Sequence, residues 1–280
     1  MKWVLHMLLF LIFCRGSYAQ QDKNIYDFDN SMRFAAYLRN SRQYALAIDE
    51  LQRIYFLYPK NDTVELELLR SCRSGHFYDR GIGFINTFFP KKTNMSPAFA
   101  SEYLRLMLLN RNFEKADSFI TKNTSLDKPR LFFYNLNSML MQHKWKEARN
   151  SFEQQPADIR QAMKKYDALT SDAAGLKYKH AAVALSLSAV IPGSGKLYTR
   201  NWGDAIVSFV TTGALAFQAY RGFAMKGGIN SAYGWVFGSL AFGFYAGNLY
   251  GSFKSCRVYN SKIDEKITER ATALFEDTNY

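Results

Sequence analysis

Two patterns of hydrophobic and polar positions divide this chain. Over the first 170 or so residues, apolar side chains recur three and four apart among charged ones, as at Ala35 and Leu38 or Leu51 and Ile54. That spacing predicts short amphipathic helices. Further on, charge disappears for long stretches: neither Ala205–Tyr220 nor Gly227–Phe253 contains Lys, Arg, Asp or Glu. A bilayer core of ~30 Å is crossed by roughly 20 mostly apolar helical residues. Segments at about 203–220 and 229–253 are therefore expected to form a transmembrane helical hairpin. A shorter apolar stretch, 181–191, is stopped by Pro192-Gly193 and suits a re-entrant or interfacial helix. Residues 259–280 carry Ile263, Ile267, Arg270 and Leu274 at helical spacing and are expected to form an amphipathic C-terminal helix or tail.

The amino terminus reads as a leader. Met1-Lys2-Trp3 is followed by the apolar run Val4–Cys14 and then by Ser17-Tyr18-Ala19, which predicts a signal peptide over residues 1–19. Export would carry the repeat-bearing half of the chain across a membrane. The turn Arg221–Lys226 between the two charge-free segments would then stay on the cytoplasmic side.

Within residues 22–170 the chain resembles itself. Gln43-Tyr44-Ala45-Leu46-Ala47-Ile48 is echoed by Asn112-Phe113-Glu114-Lys115-Ala116-Asp117 and by Lys144-Trp145-Lys146-Glu147-Ala148-Arg149. A degenerate copy around Phe77 has Arg80 where the others have Ala. The aromatic anchors Tyr44, Phe77, Phe113 and Trp145 are 33, 36 and 32 residues apart. The physical logic is that an aromatic plugs a helical hairpin while a small residue three positions on (Ala47, Ala116, Ala148) lets the two helices approach. Prolines such as Pro59 end the unit. On these residues the segment resembles the tetratricopeptide repeat. The resemblance implies a solenoid of helical hairpins (TPR-like) whose concave groove takes a protein partner, with each apolar face covered by the next hairpin.

Net charge is +12, but the basic residues are interspersed with acidic ones and are densest beside the charge-free segments. That distribution points to a lipid bilayer as partner and to no nucleic acid. Beyond the leader only Cys72 and Cys256 remain, too far apart in character to suggest a disulfide framework. His76 and His143 fall at turns and His180 before the apolar region, so no metal-ligand spacing exists and no metal or other cofactor is expected. The Gly193-Ser194-Gly195-Lys196 run lacks the first glycine and the final hydroxyl of a phosphate-binding loop. No nucleophile–base pair or carboxylate dyad stands out, and an enzyme is not expected.

Gly243, Gly247 and Gly251 recur one helical turn apart, opposite a stripe of Ser208, Thr212 and Ala216. They predict a groove for a neighbouring helix, or for a second copy of the chain in a homo-oligomer. Asn248, the strongly polar group of that segment, should bond to the Pro192–Tyr198 loop or to Thr211 and Thr212. Residues 176–258 carry Pro192-Gly193-x-Gly195-x-x-Tyr198, then Gly203-Asp204, then Tyr245-x-Gly247-Asn248-x-Tyr250-Gly251. On these motifs they resemble a membrane module of bacterial envelope proteins. The resemblance implies a bacterial envelope protein and no known activity; the leader and the charge-free segments together then place the chain in the bacterial inner membrane with the repeats in the periplasm. The expectation is an all-α, membrane-anchored envelope scaffold that holds protein partners on its repeats. The alternative is a small transport or lipid-handling protein centred on the Pro-Gly-x-Gly loop and Asn248.

Overall fold

A computed structural model of the chain describes residues 26–90, 95–225 and 227–278. The leader expected at residues 1–19 lies outside them. Among the described residues the regular structure is helical throughout, with fourteen α-helices and one 3-10 turn. The chain divides into two compact units after Tyr134.

The first unit is built from paired helices: α1 (Phe28–Asn40) with α2 (Tyr44–Leu57), α3 (Asp62–Ser74) with α4 (Tyr78–Phe88), and α5 (Pro97–Leu109) with α6 (Phe113–Lys122). The division falls inside α7 (Lys128–Met141), whose partner α8 (Trp145–Glu153) belongs to the second unit. Short polar side chains start several helices. Asp27 accepts from the Asn30 N–H at 2.7 Å and Asn61 accepts from Thr63 and Val64, which satisfies donors that the first helical turn leaves open.

The turn inside each pair is the same structure repeated. Arg42, His76, Arg111 and His143 all lie at φ between 56° and 61°. In each turn the N–H of the following residue reaches back to the carbonyl five positions earlier: Gln43 to Leu38, Phe77 to Cys72, Asn112 to Met107 and Lys144 to Met139, at 2.8–2.9 Å. This left-handed cap ties off carbonyls that the helix end would otherwise orphan. The residue two places after the left-handed one opens the next helix: Tyr44, Tyr78, Phe113 and Trp145. Three places further on comes a buried small residue: Ala47, Gly81, Ala116 and Ala148. The second copy is therefore in full register. Its aromatic is Tyr78, with Phe77 in the turn and 39% exposed, and its small position is Gly81 instead of Arg80.

The core of the first two pairs gathers Ala35, Ile48, Leu51, Ile54, Val64, Leu68 and Cys72, with Tyr55, Phe84 and Phe88 packed at its edge. Glu65, on α3, is drawn into this unit, and burial raises its carboxyl above the usual range, with Asp62 adding a smaller repulsion.

The second unit contains α8, α9 (Ala157–Ala162), α10 (Lys164–Ala174), α11 (Ala181–Val190), the short α12 (Ser194–Tyr198), α13 (Trp202–Met225) and α14 (Ala232–Asp277). The second charge-free segment and the expected C-terminal tail are one unbroken 46-residue helix, α14. Its first half packs along α13 and α11, and its charged second half meets α10, burying Ile267, Ala271 and Phe275. Arg270 pairs there with Asp172 at 2.9 Å.

No helix among the described residues is long and apolar enough to cross a membrane. This overturns the transmembrane hairpin over 203–220 and 229–253, the re-entrant helix that was to accompany it, and the inner-membrane placement with periplasmic repeats. The physical reason is that lack of charge is not the same as apolarity. Ser208, Thr211, Thr212, Gly213 and Gln218 dilute α13, and Gly, Ser, Tyr and Asn248 do the same along α14, while Asp204 and Arg221 sit near the two ends of α13.

Two measurements check this packing. Ala116→Leu puts three extra carbons into a fully buried helix contact and should cost about 1–3 kcal/mol in urea unfolding. Because Glu65 holds its proton more tightly folded than unfolded, its penalty is present above the folded value and vanishes as pH falls below the ordinary value of 4.5. Glu65→Gln should therefore raise Tm at neutral pH, with the difference closing near about pH 4.

Candidate functional site

One cavity in each unit combines polar chemistry with a distinctive wall. In the first unit the first helices of successive pairs carry a ladder of ion pairs. Arg39 of α1 pairs with Glu67 of α3, and Glu67 with Arg70 at 2.9 Å. Arg73 pairs with Glu102 of α5 at 2.8 Å, in a two-pronged contact. Beside the ladder lies a cavity of about 260 Å³ lined by Met32, Ala35, Ala36, Arg39, Leu51, Thr63, Glu67 and Ser71. Ser71 is fully buried, and its Oγ has no hydrogen-bond partner. Nearby Cys72 is inert: burial pushes its thiol up to about 12, only partly opposed by the Arg80 charge.

In the second unit the Pro192–Tyr198 turn is clamped onto α14. Gly193, at φ 92°, donates its N–H to Asn248 Oδ1 at 3.0 Å, and Asn248 Nδ2 faces the Ser188 carbonyl at 3.5 Å. Ser188 Oγ accepts from the Gly195 N–H at 2.9 Å and pairs with Ser252 Oγ at 2.6 Å. Tyr245 donates to the Ala189 carbonyl at 2.9 Å, and Asn260 holds both the N–H and the carbonyl of Lys179 at 2.9 Å. The two glycines are required by close approach. A Cβ at Gly193 would sit 2.3 Å from the Ala205 carbonyl oxygen, and one at Gly195 would sit 1.9 Å from the Ala184 carbonyl oxygen. Tyr245, Asn248 and Ser252 of α14 and the backbone around Pro192 thus form one clamp. Tyr198 lies under the Lys179 ammonium, 4.3 Å from the ring centre, whereas Tyr250 is 69% exposed.

Gly203 and Asp204 belong to a different feature. Arg200 has φ 62°, the Asn201 N–H reaches back to Lys196 at 2.9 Å, Trp202 opens α13, and Ala205 is buried. This is a fifth copy of the repeat turn. Sequence comparison within the chain could have found it, since Arg111-Asn112-Phe113-x-x-Ala116 matches Arg200-Asn201-Trp202-x-x-Ala205.

Within the chain, Gly243 and Gly247 do not form the groove expected for a neighbouring helix. Gly243 and Gly247 are not in a helix contact, and a Cβ on either would meet nothing within 4 Å. The close helix contact is instead Gly222 with Gly234, where a Cβ would lie 2.5 Å from backbone. Thr212 and Ser208 border the space that opens beside Gly243 and Gly247. Burial also raises the Tyr178 hydroxyl, assisted by its bond to Asp264, and raises the Cys256 thiol.

Among the described residues no group of three or more His, Cys, Asp and Glu side chains is placed to hold a metal ion. Compared with known protein families, curated proteins and solved structures, the chain matches none.

Replacing Asn248 by Leu removes the acceptor for a buried N–H and should cost about 1–3 kcal/mol in urea unfolding of the full chain. Tyr250→Phe, at an exposed position, should stay within about 0.5 kcal/mol of the parent.

Proposed function

We propose that the chain is a non-catalytic binding scaffold that holds an extended segment of a protein partner along the first helices of its repeats. The observation that carries this reading is the cavity between α1 and α3, with an unpartnered buried Ser71 hydroxyl and the Arg39–Glu67 pair at its wall. A buried hydroxyl without a partner costs free energy, and a peptide carbonyl or amide entering the cavity would remove that cost. The paired charges alongside present both signs, which suits a segment of mixed charge more than a polyanion. Ala35 and Ala36 keep the approach open where larger side chains would fill it. Affinity then follows from how many repeats one segment can span, since each pair offers the next section of the same face. No anchor in a bilayer enters this reading.

The test uses a photo-crosslinking residue at Thr63, on the cavity wall, or at Glu114, on the outer helix α6, in the full chain in cells. Capture of a discrete protein from position 63, its absence from position 114, and its loss on Ala36→Trp with unchanged Tm are the expected results. Equal capture from both positions, or capture that survives Ala36→Trp, would sink the proposal.

A further inference from the structure

The second unit has a cleft of about 520 Å³ between α13 and α14, within the ~300–1,000 Å³ usual for small-molecule sites. Its two ends differ in chemistry. At one end Lys196 reaches across Gly251, where a Cβ would lie 2.9 Å from its Cε, and donates to Ser208 Oγ at 2.7 Å. No carboxylate among the described residues pairs with this ammonium; its neighbour in the cleft is the neutral Ser208. Val207 flanks that end, and the rest of the cleft is uncharged: its walls are Leu240 and Phe244, bare backbone at Gly243 and Gly247, and the hydroxyls of Thr211 and Ser239. From Gly251 to Leu240 the helix rises about 16 Å at 1.5 Å per residue.

Thr212 supplies an independent sign of a missing ligand. It lines the cleft, is only 6% exposed, and its Oγ1 has no hydrogen-bond partner. The Asn248 amide, also on the wall, is already engaged by Gly193 and Ser188, so it is positioned structure and not a free contact.

We infer that this cleft binds a single-chain amphiphile with an anionic head, its acid group on Lys196 and its alkyl chain over Gly247, Gly243 and Leu240. The unpaired cation selects the head by charge. The glycines leave the width that the chain occupies, and Thr212 offers a further hydrogen bond near the head. The site is in the other unit from the repeat cavity and stands independently of the protein-binding reading.

The test is titration calorimetry of the full chain with dodecanoate, and with dodecanol as the uncharged counterpart, below their aggregation concentrations. The expected result is one dodecanoate per chain, weakened by about tenfold or more in Lys196→Met, with dodecanol binding unaffected by that change. A Cβ at position 243 would meet nothing within 4 Å, so Gly243→Leu should keep the helical circular dichroism and Tm while losing both ligands. Gly247→Leu is the second variant of the same kind. Dodecanoate binding that persists in a folded Gly243→Leu chain, equal binding by Lys196→Met, or no saturable binding by the parent overturns the inference. So does sedimentation as a dimer that Gly243→Leu converts to monomer, which would make the cleft an interface between copies.

Discussion

A residue forced into the left-handed region at the end of a helix is the constraint on which the hairpins depend. At Arg42, His76, Arg111 and His143 a side chain with a Cβ occupies a conformation that glycine would adopt more easily. The cost of such a residue is of order 1 kcal/mol or more. It is offset because the turn satisfies the last carbonyls of the first helix and fixes where the second begins. Once that is set, the small residue one turn into the second helix is buried, and at Gly81 an added Cβ would lie 3.1 Å from Cys72 of the first helix.

The second unit uses the same event once more, at Arg200, and adds a different one. There the Pro192–Tyr198 turn has no helix long enough to stabilise it, since α12 has five residues. Its backbone is held by side chains of α14, above all by Asn248 and by Ser252 acting through Ser188. A single long helix can do this and also pack against α10 because its composition changes midway, from uncharged to charged beyond Phe253. Phe209, Phe217, Phe242 and Phe244 along α13 and α14 are exposed.

Some of these features are legible in the sequence and others are not. Helical hairpins and the turn positions at Tyr44, Phe113 and Trp145 can be read because period and small residues repeat along the chain. The second copy is easily placed one residue out of register because Phe77 and Tyr78 are both aromatic, and only the φ of His76 shows which one opens the helix. The fifth turn is masked because Trp202 beside basic residues also fits an interfacial aromatic. The expected transmembrane hairpin fails because freedom from charge does not amount to apolarity when glycine, hydroxyl and amide groups occur all along both segments. The ion-pair ladder from Arg39 to Glu102 has no linear signature. Its members belong to different helical pairs and meet only when those pairs stack.

By itself the sequence determined the helical class and the turns before Tyr44, Phe113 and Trp145 with their small residues Ala47, Ala116 and Ala148, because these depend on side chains within a few positions of one another. The tertiary structure alone decided which glycines touch backbone and which face open space. Gly193, Gly195 and Gly222 prove to be tight contacts, whereas Gly243 and Gly247 border a cleft. It also decided between the two partners expected for Asn248, which bonds to the Pro192–Tyr198 turn 55 residues away and leaves Thr212 Oγ1 without a partner. Periodicity names the face of a helix but not what lies against it, and that neighbour is set by how several helices share one core.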